Sequence, residues 1–343
     1  MIKIALDAMG GDNAPHDVVH GGVEAARASK NNFEVVLVGD VNQLKHEVER
    51  HFHTQNLPIT YHHASQVVSM QEQPSTALKQ KPDSSIAVGI QMHADNKVNA
   101  FVSAGNTGAV MAKALFGLRR IKGIRRPAIG SMLPTESGKS TLLIDAGANS
   151  DNRPEDLLQF AIMGSIYYSR LYKDDGEHPT VGLLSMGQES SKGNELTIRA
   201  HSLLEKSHLN FIGNIEGNDI LRGTCNVTVC DGFTGNIVLK TAESLHPLLK
   251  VSIKRLIRKQ LFSQIGAALM KRTFEGMRKL FDYQEYGGAP LLGVNGSCII
   301  AHGKSTPRAI RNAIFAAYKM VSENVNDYIK EEIAKYGNLR NKE

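Results

Sequence analysis

Residues 101 to 114 read Phe101-Val102-Ser103-Ala104-Gly105-Asn106-Thr107-Gly108-Ala109-Val110-Met111-Ala112-Lys113-Ala114, and their order decides the fold. Phe101, Val102 and Ser103 suit a buried strand, Gly105 to Gly108 a tight turn, and Ala109 to Leu115 a helix. Such a turn leaves backbone N–H groups without helical partners, and the helix dipole adds partial positive charge to them. That geometry holds anions, phosphate foremost. An isolated turn of this kind is more often ordinary chain reversal, so its neighbours decide the matter.

The same order recurs along the chain. Ile2–Leu6 ends at Asp7-Ala8-Met9-Gly10-Gly11-Asp12, with Pro15 placed for a first helical turn. Val35–Val38 ends at Gly39-Asp40, Leu142–Ile144 at Asp145-Ala146-Gly147-Ala148-Asn149, and Val181–Leu184 at the polar loop Gly187 to Gly193. Val227–Cys230 ends at Asp231-Gly232-Phe233-Thr234-Gly235-Asn236, and Cys298–Ala301 at His302-Gly303 before a helix near Thr306-Pro307. Short β-branched runs alternating with helices predict an α/β protein, three layers deep (αβα), with a largely parallel sheet. Ligands of such sheets sit beyond the carboxyl ends of the strands, where these turns gather. A single domain over residues 1–336 is expected, with a frayed tail at 337–343.

Apolar residues are 41% and charged residues 22% of the 343, ordinary for a soluble globular protein. No apolar run reaches the roughly 20 residues of a membrane-spanning helix. The first residues read as a strand rather than a signal peptide. Cys225, Cys230 and Cys298 sit in apolar runs, as reduced core residues of a cytoplasmic protein would. The formal charge of +6 is local: between His246 and Phe281, nine basic residues face one acid, Glu275.

That basic segment breaks the rhythm. Lys250, Lys254 and Arg258 fall at i, i+4, i+8, while Leu249, Ile253, Leu256 and Ile257 cluster on another side. After a bend near Ser263-Gly266, Met270, Phe274, Met277 and Phe281 form a second stripe. A basic amphipathic helical hairpin over 247–281 follows. It reads either as a dimer contact or as an apolar tip, carrying Ile257 and Leu261, that touches an anionic membrane surface. Aromatic residues do not interleave with the basic ones, which argues against nucleic acid.

Several chemistries drop out. Gly138-Lys139-Ser140 has Leu133 where a phosphate-binding P-loop needs its first glycine. No G-x-G-x-x-G follows the first strand, H-E-x-x-H and G-x-S-x-G are absent, and His62-His63 has no ligand-like companions, so neither cofactor nor metal is expected. What remains is two turns of the form G-x-T-G, Gly105-Asn106-Thr107-Gly108 and Gly232-Phe233-Thr234-Gly235, at strand-to-helix junctions. Two alike favour an anion site. Lys192, just before a helix start, is either a solvated loop lysine or a cation over a phosphate or oxyanion.

Taken in order, these loops resemble one family. Asp7 to Asp12, Ser103 to Ala109, Gly182 through Glu195, Asp231 to Asn236, Tyr286-Gly287-Gly288-Ala289-Pro290 and Ala301-His302-Gly303 are as expected for the bacterial phosphate acyltransferases (PlsX), over essentially the whole chain. Only Glu189-Ser190-Ser191 is less charged than that pattern. The resemblance implies a fold of the isocitrate/isopropylmalate dehydrogenase type, shared with phosphate acetyltransferases. It implies reversible transfer of a long fatty acyl chain from acyl carrier protein to inorganic phosphate, for phospholipid synthesis. A cytoplasmic homodimer at the membrane periphery is implied too, with a membrane glycerol-3-phosphate acyltransferase consuming the product.

The chemistry suits the missing motifs. A thioester is already activated and phosphate attacks as its dianion, so no covalent acyl-enzyme is needed. The protein must align the reactants and stabilise the oxyanion. Lys192 and Asn236 are the expected key side chains, with Asp231 and His302 behind them. Gly105, Asn106, Thr107, Gly108, Gly232, Thr234 and Gly235 are the expected phosphate cradle. A short-chain phosphotransacylase using acyl-CoA, or a non-catalytic module binding an anion at a membrane surface, are the alternatives.

Overall fold

The computed structural model describes every residue except 52, 53, 55, 173–177, 259, 260, 274, 275, 277–286 and 341–343. Its centre is one eleven-stranded sheet. In chain order the strands are β1 (Ile2–Asp7), β2 (Phe33–Gly39), β3 (Ile59–His63), β4 (Ala100–Ser103), β5 (Ala128–Pro134) and β6 (Ser140–Ile144). Then come β7 (Val181–Leu184), β8 (Phe211–Ile215), β9 (Val227–Val229), β10 (Ala289–Leu292) and β11 (Ser297–Ile300). Successive side chains on a strand point to opposite faces. Accordingly Ile4, Leu6, Val35 and Leu37 join one apolar core, while Ala5, Val36 and Val38 join another. Two cores, one on each face, make the three-layer αβα architecture that the alternating rhythm predicts.

The spatial order is β3-β2-β1-β4-β11-β10-β5-β6-β9-β7-β8. Two parallel blocks, β3 to β11 and β6 to β8, are joined through β10 and β5, which pair antiparallel with each other and with their outer neighbours. The sheet is thus largely parallel, with an antiparallel centre that the sequence rhythm does not announce. Proline or glycine within a run argues against a central strand. Yet β5 carries Gly130 and Pro134, and β10 carries Pro290, which pairs with Ile299.

The basic segment differs from its expected boundaries. Its first arm is no separate helix starting at Pro247 but the end of one 26-residue helix, Gly232–Ile257, with Pro247 inside it. A second helix, Leu261–Leu269, follows. Leu248, Leu249, Val251, Leu256, Phe262 and Leu269 are exposed, so this part of the chain stands away from the sheet. The rest of the expected second stripe, Phe274, Met277 and Phe281, lies outside the described residues. No described helix is long and apolar enough to cross a membrane.

Candidate active site

A cavity of about 300 Å³ opens where the two parallel blocks meet. Thr107 follows β4, Ala146 and Gly147 follow β6, and Ala301 and His302 follow β11. Ser131 and Met132 of β5 and Gly288-Ala289 at β10 form its floor. The remaining wall is a single face of the helix Gly232–Ile257: Asn236, Leu239, Lys240 and Glu243, spaced i, i+3, i+4 and i+7. The lining mixes apolar Ile129, Met132, Leu239 and Ile300 with polar Thr107, Ser131, Asn236, Lys240, Glu243, His302 and Ser305.

Two buried carboxylates shape the loops behind it. Asp7, at the end of β1, accepts from Ser103 Oγ at 2.6 Å, and that hydroxyl accepts from the Gly105 N–H at 3.0 Å. Gly10 lies against Gly105, because a Cβ there would meet the Gly105 backbone at 2.8 Å. Asp145, at the end of β6, accepts from the N–H groups of Ile129, Gly147, Ala148 and Asn149 and from the Asn149 amide. Burial pushes both carboxyls above their ordinary range, against the pull of those hydrogen bonds.

The two G-x-T-G turns are built differently. Asn106 caps the helix Thr107–Gly117, its Oδ1 accepting from the Ala109 N–H at 3.0 Å. Its Nδ2 donates to the carbonyls of Ser69, Met70 and Glu72, so this side chain fastens a neighbouring loop. Gly108 packs against Pro74. The N–H groups of Thr107 and Gly108 have no acceptor among the described residues, and Thr107 lines the cavity. In the second turn, Asp231 caps the helix, accepting from the Thr234 N–H and hydroxyl. Gly232 donates to Asn149 O, and Gly235 to Asp231 O. A Cβ on Gly235 would fall 1.8 Å from Asp145 O. That turn is closed onto the Asp145 loop. Gly232, Thr234 and Gly235 are expected in the phosphate cradle; in this structure their N–H groups are engaged by Asn149 O, Asp231 Oδ1 and Asp231 O, and the glycines permit close packing.

Of the four expected catalytic side chains, Asn236 and His302 line the cavity. Asn236 lies over Gly147, whose φ of +134° only glycine adopts readily. His302 Nδ1 accepts from the Lys304 N–H at 3.1 Å, which places the proton of the neutral ring on Nε2. Burial holds its pKa below 6.5. Asp231 does not line the cavity; its carboxylate caps the helix, accepting from Thr234. Lys192 does not line the cavity. It is exposed in the loop after β7, the strand beside β9, and so stands on the same carboxyl rim as Asp231 and Asn236. Sequence reasoning missed Lys240 and Glu243, which pair at 2.8 Å. Their spacing from Asn236 was the available signal, on the helix expected to follow the Gly232–Gly235 turn. The cysteines offer no nucleophile: all three are buried, and burial pushes the Cys298 thiol up to about 12.

Comparison with known proteins agrees with this geometry. The fatty acid synthesis protein family matches residues 2–328. A phosphate acyltransferase of Pelotomaculum thermopropionicum is 47% identical over 332 residues, covering 97% of this chain and 95% of the relative. One from Halothermothrix orenii is 46% identical over 341 residues, covering 98% and 100%. Among solved structures, a phosphotransacetylase from Streptococcus pyogenes has a TM-score of 0.62 at 16% identity, covering 94% of each chain, which is a likeness of fold. The sequence match spans both blocks of the sheet and every loop around the cavity, and the chain belongs to the fatty acid synthesis protein family, among its phosphate acyltransferases.

Proposed function

We propose that the protein transfers a long fatty acyl group from the thioester of acyl carrier protein to inorganic phosphate, reversibly, to supply phospholipid synthesis. The observation that carries this reading is the cavity's mixed lining, which brings apolar Ile129, Met132, Leu239 and Ile300 and the donors Thr107, Ser131, Asn236, Lys240 and His302 around one space. An acyl chain suits the apolar residues and phosphate the donors. The curated relatives' shared name, phosphate acyltransferase, supports the same chemistry.

Phosphate rests at the N-terminus of the helix Thr107–Gly117, on the Thr107 and Gly108 N–H groups, where the helix dipole adds to them. One phosphate oxygen attacks the thioester carbonyl and the carbonyl oxygen gains the negative charge. Asn236, Lys240 and the His302 Nε2–H are the donors positioned to stabilise it. The C–S bond breaks, the carrier thiolate departs, and acyl phosphate remains. Lys192, on the rim, steers the anionic carrier arm and adds positive charge. His302 is held neutral by burial, so it donates without adding charge.

The exposed end of the helix Gly232–Ile257 has its own reading. Its unpaired apolar residues support pairing with a second copy of the chain, with the tip and its Lys254 and Arg258 resting on an anionic membrane surface. Ile253 and Ile257 are only half-exposed there, and Leu249 is more so. The test of the reaction is to mix acyl carrier protein thioester, phosphate and protein. Phosphate-dependent release of carrier thiol with formation of acyl phosphate is expected; equal turnover of acetyl-CoA would favour short-chain chemistry, and no turnover would end the proposal. Ile257→Glu is expected to weaken binding to anionic liposomes, and unchanged binding with loss of the dimer would assign the arm to pairing alone.

A further inference from the structure

Taking the cavity as the phosphate site proposed above, we infer that Glu243 is its specificity-determining residue. Its carboxylate accepts the proton that inorganic phosphate still carries, and it turns away tetrahedral dianions that carry none, such as sulfate. An acid is the unexpected member of a lining that serves an anion. Glu243 Oε2 meets Lys240 Nζ at 2.8 Å, and the two stand with Asn236 on one face of the helix Gly232–Ile257.

Two observations give this carboxylate a role beyond its lysine. The first is depth. The Glu243 side chain is 20% exposed and that of Lys240 54%, so the acid sits further in than its cation. Taking a carboxylate out of water is costly, and in an anion's site it also repels the ligand. A pair that only balanced charge at the surface would not need its acid on the inside. The second is company. The charges of Glu243 and Lys240 both bear on His302, which lines the same cavity, together with those of Asp12 and Lys304. Glu243 and His302 therefore stand close to each other, an acceptor and a donor at one space.

The chemistry of the anions does the rest. A carboxylate paired with an ammonium offers only acceptors, and Lys240 takes up one of its several lone pairs. Opposite an acceptor, an anion's oxygen is welcome only if it carries a hydrogen. At neutral pH inorganic phosphate is a mixture of its monohydrogen and dihydrogen forms, so it always has a P–OH to donate. Sulfate has four acceptor oxygens and no donor, and fluorophosphate is likewise a dianion without a proton. The N–H groups of Thr107 and Gly108, Lys240 and the His302 Nε2–H attract all of these alike. Glu243 tells them apart, by repelling the wrong ones as much as by holding the right one. The unprotonated oxygens of the held phosphate stay free for attack.

Calorimetry on the whole protein at neutral pH, with phosphate, sulfate and fluorophosphate in turn, reads the discrimination. The wild type is expected to bind phosphate about 100-fold or more tighter than either unprotonated dianion. Glu243→Gln keeps the size and an oxygen for Lys240, and its amide can donate. The ratio is therefore expected to fall about tenfold or more, through tighter sulfate and fluorophosphate. Lys240→Ala is expected to weaken all three anions and leave the ratio at least as large. In turnover, sulfate is expected to compete with phosphate in Glu243→Gln at concentrations the wild type tolerates. A wild type that holds sulfate as tightly as phosphate would overturn the inference. So would a Glu243→Gln that tightens all three anions equally, since its acid would then merely offset Lys240. The ratio is read without catalysis, so the two failures are distinguishable. Phosphate-dependent thiol release with an unchanged ratio sinks the role of Glu243 alone, and a shifted ratio without thiol release sinks the reaction alone.

Discussion

Gly105-Asn106-Thr107-Gly108 and Gly232-Phe233-Thr234-Gly235 share a sequence form, a strand before and a helix after, yet they do different work. The first turn leaves the Thr107 and Gly108 N–H groups open beside the cavity. The second is sealed onto the Asp145 loop, with Gly235 so close to Asp145 O that no side chain fits. What separates them is their neighbour. The first turn packs its glycines on another glycine, Gly10, and on Pro74, and its cap residue reaches sideways to the loop at 69–72. The second turn is backed by a loop whose buried aspartate, Asp145, accepts from the N–H groups of Ile129, Gly147, Ala148 and Asn149. A glycine in such a turn serves either the ligand or the packing, and only its surroundings say which.

The comparison breaks most readily at Gly235. Gly235→Ala forces a methyl group into the Asp145 carbonyl and is expected to cost on the order of 3 kcal/mol or more, read as a fall in the urea midpoint. If the variant folds normally, the second turn is looser than described and its N–H groups return as candidates for the anion. Next come the side chains at the chemistry. Asn236→Ala is expected to lower kcat about 100-fold, and Lys192→Ala, on the rim, to raise the KM for the acyl carrier protein thioester about tenfold, with the thermal midpoint unchanged in both, since neither side chain has a hydrogen bond to lose among the described residues. An unchanged KM in Lys192→Ala would leave that residue a solvated loop lysine.

The open turn is probed more finely by Thr107→Pro. Proline is welcome at a first helical position, so the fold should tolerate it while one open N–H disappears. A rise of about tenfold in the KM for phosphate is expected, with little change in stability. An unchanged KM would move phosphate elsewhere in the cavity. The smallest effect concerns the strands beneath this turn. His93 Nε2 accepts from the Ser297 N–H at the start of β11, and its Nδ1 donates to Val98 O. Burial lowers its pKa below 6.5. The unfolded chain therefore takes up the proton at higher pH than the folded one, so stability is full above 6.5 and is lost as pH falls below it. Denaturant midpoints against pH should show a steeper acid decline for the wild type than for His93→Gln.

Much of this was legible in the sequence because the parallel strands are short, apolar and punctuated. Ile2–Leu6, Leu142–Ile144 and Val227–Cys230 announce themselves by apolar, β-branched runs that stop at Asp-Ala or Asp-Gly turns, and Val35–Val38 stops at Gly39-Asp40. The antiparallel centre was not legible, because β5 and β10 carry the glycine and prolines that ordinarily exclude a central strand. The two G-x-T-G turns were read as equivalent because local sequence describes a turn's own chain and not the loop that backs it. Lys240 and Glu243 were missed for a related reason. The basic segment was set apart from Pro247 onward, whereas that proline sits within one helix that begins at Gly232 and whose first four turns carry one wall of the cavity.

That helix sets a length. Twenty-six residues at 1.5 Å each span about 39 Å, from the rim at Asp231 to Ile257. Any surface that grips the far end therefore keeps the cavity within one fixed radius, like a boat on a short rigid mooring. Under the reaction proposed above, the acyl phosphate, prone to hydrolysis, would leave the cavity within that radius of whatever surface holds the far end.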